Sequence, residues 1–356
     1  MFSSSLTRRI APFSLLLLTL ALLTALNARA EPVGRQSYVA PWGNDNNPGS
    51  LASPWRSLEE AFVKLQPGDT LFLRGGAYEE EVHARVLQPG TPEQPILVRA
   101  YPGERPVLRG LLRLLRPTYW TFDGLNVQWN PQIGNRLEHM VKIGDGVGWT
   151  FRNAEVWGAR SFAAILVYTT GGEEPRDWRI TGCAVHDTKR ANKTNQDQLI
   201  YVNTGLESGG GQIDHNLLYN ATNGSAVKLG GPSADDGGAA RVAVEYNTIY
   251  NTVQGVLVAW QSWGNIIRRN LIGRQASGYS SVRGYQLTGP DNVVAANGVF
   301  ATKRAIKNDK GYPGLLDGGG NRNVGDPSFN RKDSTGFRPR KKAAAQYGRY
   351  ATPADP

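Results

Sequence analysis

The sequence predicts an all-β protein coiled as a parallel solenoid, and three observations carry that reading. Short stretches recur along the chain: FDGLNV at 122, FRNAEV at 151, ITGCAV at 180, IDHNLLYN at 213, VEYNTIYN at 244, IRRNLI at 267 and VAANGV at 294, spaced by 29, 29, 33, 31, 23 and 27 residues. Each opens on an apolar residue and is followed by a second apolar stretch: MVKIG, AILVYT, LIYVN, AVKLGG, GVLVAW, YQL and AIKN in turn. Several of these alternate as strands do, and no helical periodicity lies between them. Finally, Asn216, Asn247, Asn270 and Asn297 take the same place in successive units, where stacked amides can hydrogen-bond along the axis. An antiparallel sandwich would instead want a turn every ~8–12 residues and no preferred register.

The chain begins with a segment of another kind. Arg8 and Arg9 precede an apolar run from Leu15 to Leu23, and Ala28-Arg29-Ala30 is a small-x-small cleavage signal. Residues 1–30 therefore read as a signal peptide, with Glu31 opening a secreted or periplasmic chain of 326 residues. The apolar run is too short for a confident membrane anchor. No cysteine follows the cleavage point until Cys183, which argues against a lipoprotein. A single cysteine also excludes an intramolecular disulfide, so stability must come from a large core or a repetitive hydrogen-bonded scaffold. The expected state is a monomer without stable membrane insertion.

Removing Arg8, Arg9 and Arg29 lowers the formal charge from +10 to +7. Much of the remainder sits in the tail, where Arg331, Lys332, Arg338, Arg340, Lys341, Lys342 and Arg349 face only Asp333 and Asp355. The body is only mildly basic. That suits an anionic glycan or an envelope surface and argues against nucleic acid, which wants a concentrated basic stripe. Residues 340–356 read as a basic, disordered tail.

The stretch YVAPWGNDNNPGSLASPWRSLEEAFVKLQPGDTLFLRGGAY at 38–78 and the closing VGDPSFN…GFRP near 324–339 resemble the ends of the secreted right-handed parallel β-helix proteins of the pectate-lyase superfamily. The resemblance spans roughly residues 38–339. It implies a right-handed single-stranded parallel β-helix over 31–339, with an amino-terminal cap containing a short helix near 57–65. One fold hosts many chemistries, so the reaction must be argued from the site.

Aligning the second strand of each unit stacks Lys142, Leu166, Tyr201, Lys228 and Leu257 on one outward face, with Gln286 and Lys307 following. Neighbouring coils lie about 4.8 Å apart, which makes Tyr201 and Lys228 neighbours. Asp197, Asn203, Asp235 and Asp236 are close in sequence, and Trp260 and Trp263 follow one coil later. Cations, carboxylates and aromatic platforms along one groove suit an acidic polysaccharide. Lys228 is either a base aimed at that substrate or a solvated lysine that keeps the sheet face soluble; the base needs its pKa lowered by burial or neighbouring cations. Tyr201 either protonates the leaving oxygen or packs across coils. Trp260 and Trp263 are either sugar platforms or a capped apolar patch.

AVKLGG at 226–231 also resembles the Phe-Lys-Leu-Gly-Gly segment of the calcium-dependent pectate lyases of polysaccharide-lyase family nine. The resemblance implies that Lys228 removes the proton beside a uronate carboxyl. It also implies a Ca2+ site one coil earlier, with Asp197 at its first acidic position. Gln198 and Tyr201 stand where that family has aspartates, so Asp235 and Asp236 would have to contribute from the following loop.

The expected activity is therefore a polysaccharide lyase acting by β-elimination. A non-catalytic glycan-binding or envelope scaffold and a glycoside hydrolase are the alternatives. The hydrolase would need two carboxyl groups ~5–10 Å apart, and Asp197 with Asp235 or Asp236 is the pair to nominate. His186-Asp187 and Asp214-His215 read as capping or ladder hydrogen bonds, since two such residues are far short of a metal site.

Overall fold

The computed structural model describes residues 34–84, 87–133, 139–172, 175–189, 197–276, 279–330 and 336–351. The leader expected at 1–30 lies outside them. Within them the chain winds as a parallel β-solenoid. Its strands form one sheet of 11 and a second, folded sheet of 17, and the registered neighbours along both run parallel.

The recurrent units coil because each sends its apolar residues to the same inner column. On the first sheet Phe122, Phe151, Ile180, Ile213, Val244, Ile267 and Val294 stack in register. On the second, Val141, Ile165, Ile200, Val227, Val256 and Val282 do the same. All of these side chains are buried. At ~1.5–3 kcal/mol for each large side chain removed from water, these columns and the other buried residues of the same core supply stability without a disulfide.

The amino-terminal cap closes one end of the core. Its helix, Leu58–Val63, starts at Ser57, whose hydroxyl accepts from the Glu60 amide at 3.4 Å, while Glu80 accepts from the Leu58 amide at 2.9 Å. The buried face of the helix places the Phe62 ring edge-on to Trp120 and Phe122, with centroids 6.0 and 5.9 Å away. Apolar surface that the first coil would otherwise expose is thereby covered.

The asparagine column is present and continuous. Asn247 Oδ1 accepts from the Asn216 amide at 3.0 Å, Asn270 Oδ1 from Asn247 at 2.9 Å, Asn297 Oδ1 from Asn270 at 3.0 Å and Asn321 Oδ1 from Asn297 at 3.1 Å. The preceding residues His215, Tyr246, Arg269 and Ala296 all turn the chain with φ between 53° and 56°. That left-handed conformation costs about 1–2 kcal/mol each in a non-glycine residue. The ladder offsets it by satisfying buried backbone amides at every turn.

The disordered tail expected at 340–356 needs correction. Lys342–Ala345 forms a short helix whose Ala344 packs on Leu271 and Phe300. Arg349 donates to the carbonyls of Cys183 and Gly182 at 3.3 and 3.2 Å. The charge count hid an apolar face, Ala344 and Tyr347, and an arginine that caps open carbonyls; residues 352–356 lie outside the described part.

Candidate active site

The second sheet presents one outward side chain per coil. Its register stacks His83, Arg113, Lys142, Leu166, Tyr201, Lys228, Leu257, Arg283 and Lys307 in one column. The alternation of each strand dictates this: Ile200 and Val202 point inward and Tyr201 outward, then Val227 and Leu229 inward and Lys228 outward. The one error of register is at Gln286. Val282, buried in line with Val256, sets the strand, so Arg283 takes the outward place. Gln286 falls beyond the strand end at φ 44°.

Lys228 lies where two cavities meet. The first, about 330 Å³, runs from Lys142 and His139 past Tyr168, Tyr201 and Asn203 to Lys228. The second, about 280 Å³, continues from Lys228 past Gln254 and Leu257 to Arg283, Tyr285 and Trp260. Among the described residues neither is lined by Asp or Glu.

The Lys228 ammonium sits 4.6 Å from the centre of the Tyr201 ring. No salt bridge or hydrogen bond holds it among the described residues. Burial alone pushes its pKa down to about 8. A lysine is normally solvated or paired; this one is half-buried and without a carboxylate partner. Tyr201 is shifted the other way: burial, with Asp236 adding negative potential, raises its hydroxyl well above the ordinary tyrosine value.

The remaining expected residues divide. Lys142 lines the first cavity with its ammonium 4.5 Å from the Tyr168 ring. Asn203 lines it too, and its side-chain oxygen is buried without a hydrogen-bond partner. Trp260 lines the second cavity, edge-on to Tyr285 at 5.0 Å. Lys307 stacks beside Arg283 but lines neither cavity. Trp263 also lies outside both; it is covered by the Arg241 guanidinium at 4.4 Å and donates to the Leu206 carbonyl at 2.9 Å. Its half of the aromatic expectation resolves to the capped patch. His186 and His215 stack on Tyr219 and Tyr246 at 4.4 and 5.0 Å; their hydrogen bonds run from His186 Nε2 to Glu155 one coil earlier at 3.1 Å and from His215 Nδ1 to the adjoining Asp214 at 2.6 Å.

Asp197 needs correction as a groove residue. It is fully buried and its carboxylate accepts from Asn223 Nδ2 at 2.9 Å, because Gly224 lets the next coil close over it. Asp235 and Asp236 lie on an exposed loop. Gln198 points its side-chain oxygen at the Ser225 amide, 2.7 Å away. Calcium takes six to eight oxygen ligands, yet no three His, Cys, Asp or Glu side chains gather anywhere among the described residues. The donor set does not fit the calcium site that the resemblance implies.

Residues 37–197 match the family described as "Pel9A-like, right handed beta helix region". The described residues form a right-handed parallel β-helix, and the matched segment, a little under half of the chain, is similar to that family. A stretch of 119 residues, 33% of this chain, is 28% identical to the protein named Pectate lyase PEL9 of Emericella nidulans and covers 27% of it. The match thus spans about a quarter of that relative's length. A solved structure named Glycoside hydrolase superposes with a TM-score of 0.59 at 10% identity, over 89% of this β-helix and 100% of that chain. A Rhamnogalacturonan lyase gives 0.52 at 14%, over 87% and 94%. These structural likenesses establish the fold, which lyases and hydrolases share.

Sequence reasoning missed Arg283, Gln254 and His139. Arg283 was legible: SVRGYQL alternates about Val282 as AVKLGG does about Val227. Gln254 and His139 enter the groove through the coil's geometry, and no local pattern announces them.

Proposed function

We propose that this β-helix is an exported polysaccharide lyase that cleaves an acidic, uronate-containing glycan by β-elimination, with Lys228 as the base. One observation carries the reading: a half-buried lysine without an ion-pair partner among the described residues, at the junction of two groove cavities, whose pKa burial brings down to about 8. Near neutral pH an appreciable fraction of the side chain is then a free amine. An exposed lysine at the ordinary 10.5 would offer almost none.

In the reaction the Lys228 amine takes the proton from the sugar carbon beside the carboxyl group and becomes an ammonium. The freed electron pair forms a carbon–carbon double bond to the neighbouring ring carbon, and the bond from that carbon to the glycosidic oxygen breaks. Tyr201, which burial keeps protonated, is placed beside Lys228 to give the leaving oxygen its proton. The ammonium over the Tyr201 ring is a cation–π contact that holds the two groups together. The absence of groove-lining carboxylates among the described residues favours elimination over hydrolysis, which needs two of them.

The test is incubation of the chain from Glu31 onward with acidic polysaccharides while following ultraviolet absorbance from the new unsaturated bond. Growth of that absorbance with at least one glycan is expected. New reducing ends without absorbance would establish a hydrolase, and binding without cleavage a scaffold. Mass spectrometry of the exported protein should find Glu31 at its amino terminus; an intact leader would contradict export by cleavage.

A further inference from the structure

The reaction needs positive charge at the substrate carboxylate, because removing the adjacent proton builds negative charge there. Among the described residues, those that would hold calcium do not come together, and the second cavity holds another candidate. Arg283 stands two coils from Lys228 in the same column, with Leu257 between them, and both line the same cavity of about 280 Å³.

Its guanidinium is fixed from two sides. Asp309 accepts from Nε at 3.1 Å and from Nη2 at 2.8 and 3.0 Å, and the plane lies 4.8 Å from the Tyr285 ring centre. The other terminal nitrogen, Nη1, has no partner among the described residues. An arginine held this way offers a preorganised donor edge at little further loss of side-chain freedom. Asp309 cancels part of its field, and Lys307, stacked on Arg283, restores positive charge.

The same cavity holds an unsatisfied acceptor. Gln254 is 1% exposed, and its Oε1 is buried without a hydrogen-bond partner. Leaving such an atom unpaired costs about 1–3 kcal/mol, so it is seldom kept unless something fills it. A fixed cationic donor and a residue with an orphan acceptor lining one cavity fit a ligand that brings both an anion and a hydroxyl.

We propose that Arg283 Nη1 binds the uronate carboxylate in place of a metal ion, while Gln254 Oε1 accepts from a hydroxyl of the same sugar. This deepens the lyase reading and rests on it for the class of ligand. Its consequence is recognition and elimination that do not depend on calcium.

The experiment is titration calorimetry of the Lys228→Ala protein, which binds without turnover, against trigalacturonate, trimannuronate and their carboxyl-reduced counterparts, in EDTA and then in calcium. At least one uronate trimer should bind in EDTA, with no gain on adding calcium. Adding Arg283→Gln together with Asp309→Asn, which keeps the charge balance, should weaken that binding about ten- to a hundredfold and abolish the preference over the reduced trimer. Gln254→Leu should weaken both forms alike. Binding that requires calcium, binding unaffected at Arg283, or no binding of either uronate in EDTA would overturn the proposal. Failure of the lyase reading looks different: uronate binding persists in EDTA while the unsubstituted protein yields no ultraviolet product.

Discussion

The asparagine ladder and the lysine column are built alike, one side chain per coil along the axis, yet they treat polar groups in opposite ways. In the ladder every amide is used: Asn247 Nδ2 donates to the Ile213 carbonyl and to Asn270 Oδ1, while its own oxygen accepts from Asn216. Along the groove Lys228 and one edge of Arg283 in the column, and Gln254 beside it, are left open. The asparagine ladder satisfies its buried polar groups coil after coil, whereas three groups beside one cavity are left open. A few other buried atoms, such as Trp178 Nε1 and Thr204 Oγ1, also lack partners among the described residues, but in the groove the open groups face a cavity that a ligand can enter.

Substitutions in the two columns should separate these roles. Lys228→Ala is expected to cost about 10²–10⁴-fold in elimination rate while the melting temperature stays or rises, since the side chain fills no core space. Lys228→Arg should fail almost as badly, because a guanidinium stays protonated at any working pH. Equal cleavage by Lys228→Ala would make Lys228 a surface lysine.

Asn247→Ala should show the reverse. It strips the Asn216 amide and the Ile213 carbonyl of partners, at about 1–3 kcal/mol for each buried group left unpaired. Denaturant unfolding would register the loss, and the surviving folded fraction should turn over normally. A stable but inactive Asn247→Ala protein would erase the distinction.

Tyr201→Phe tests a finer point within the groove. It keeps the ring beneath the ammonium and removes only the hydroxyl. A rate loss within the 10²–10⁴-fold range of a missing acid is expected, with little change in KM; a loss of less than a few-fold would reduce Tyr201 to a packing residue.

The smallest effect is the stability of Lys228→Met as a function of pH. The folded pKa of Lys228, about 8, lies below the ordinary 10.5. Between those values the unfolded chain holds a proton that the folded protein lacks, so stability rises with pH across that window. Below it both states are charged and the folded protein carries the burial cost in full. Lys228→Met should therefore melt a few degrees higher than the unsubstituted protein at pH 7. The gap should close as pH approaches 10.5; a gap independent of pH would mean that the ammonium is not buried.

Much of the fold was legible in the sequence because a solenoid repeats its instructions. Asn216, Asn247, Asn270 and Asn297 fall at one place in each unit, and the alternation around Val227 fixes which way Lys228 faces. The groove was legible only where that alternation is clean. At Arg283 a three-residue motif, YQL, drew the register three residues astray, although the buried Val282 settles it. Asp197 misled for another reason: sequence places it beside the groove strand, but burial depends on Gly224 in the next coil, 27 residues away. The tail misled because its charge was plain, whereas Ala344 and Tyr347 acquire meaning only against Leu271 and Phe300.

The most direct test of Lys228 as the base changes its basicity and little else. Cys183, the only cysteine, is fully buried with its thiol pushed up to about 12 by that burial, so it should resist alkylation. In Lys228→Cys the introduced thiol can be aminoethylated, giving a lysine-like side chain with a sulfur in the chain and a less basic amine. The pH–rate profile of kcat/KM is then compared with that of the unsubstituted enzyme, whose rate should rise through about pH 8. If Lys228 is the base, Lys228→Cys is inactive, aminoethylation restores turnover, and the rising limb moves to lower pH. Restored activity with the limb unmoved, or full activity before alkylation, would contradict the account.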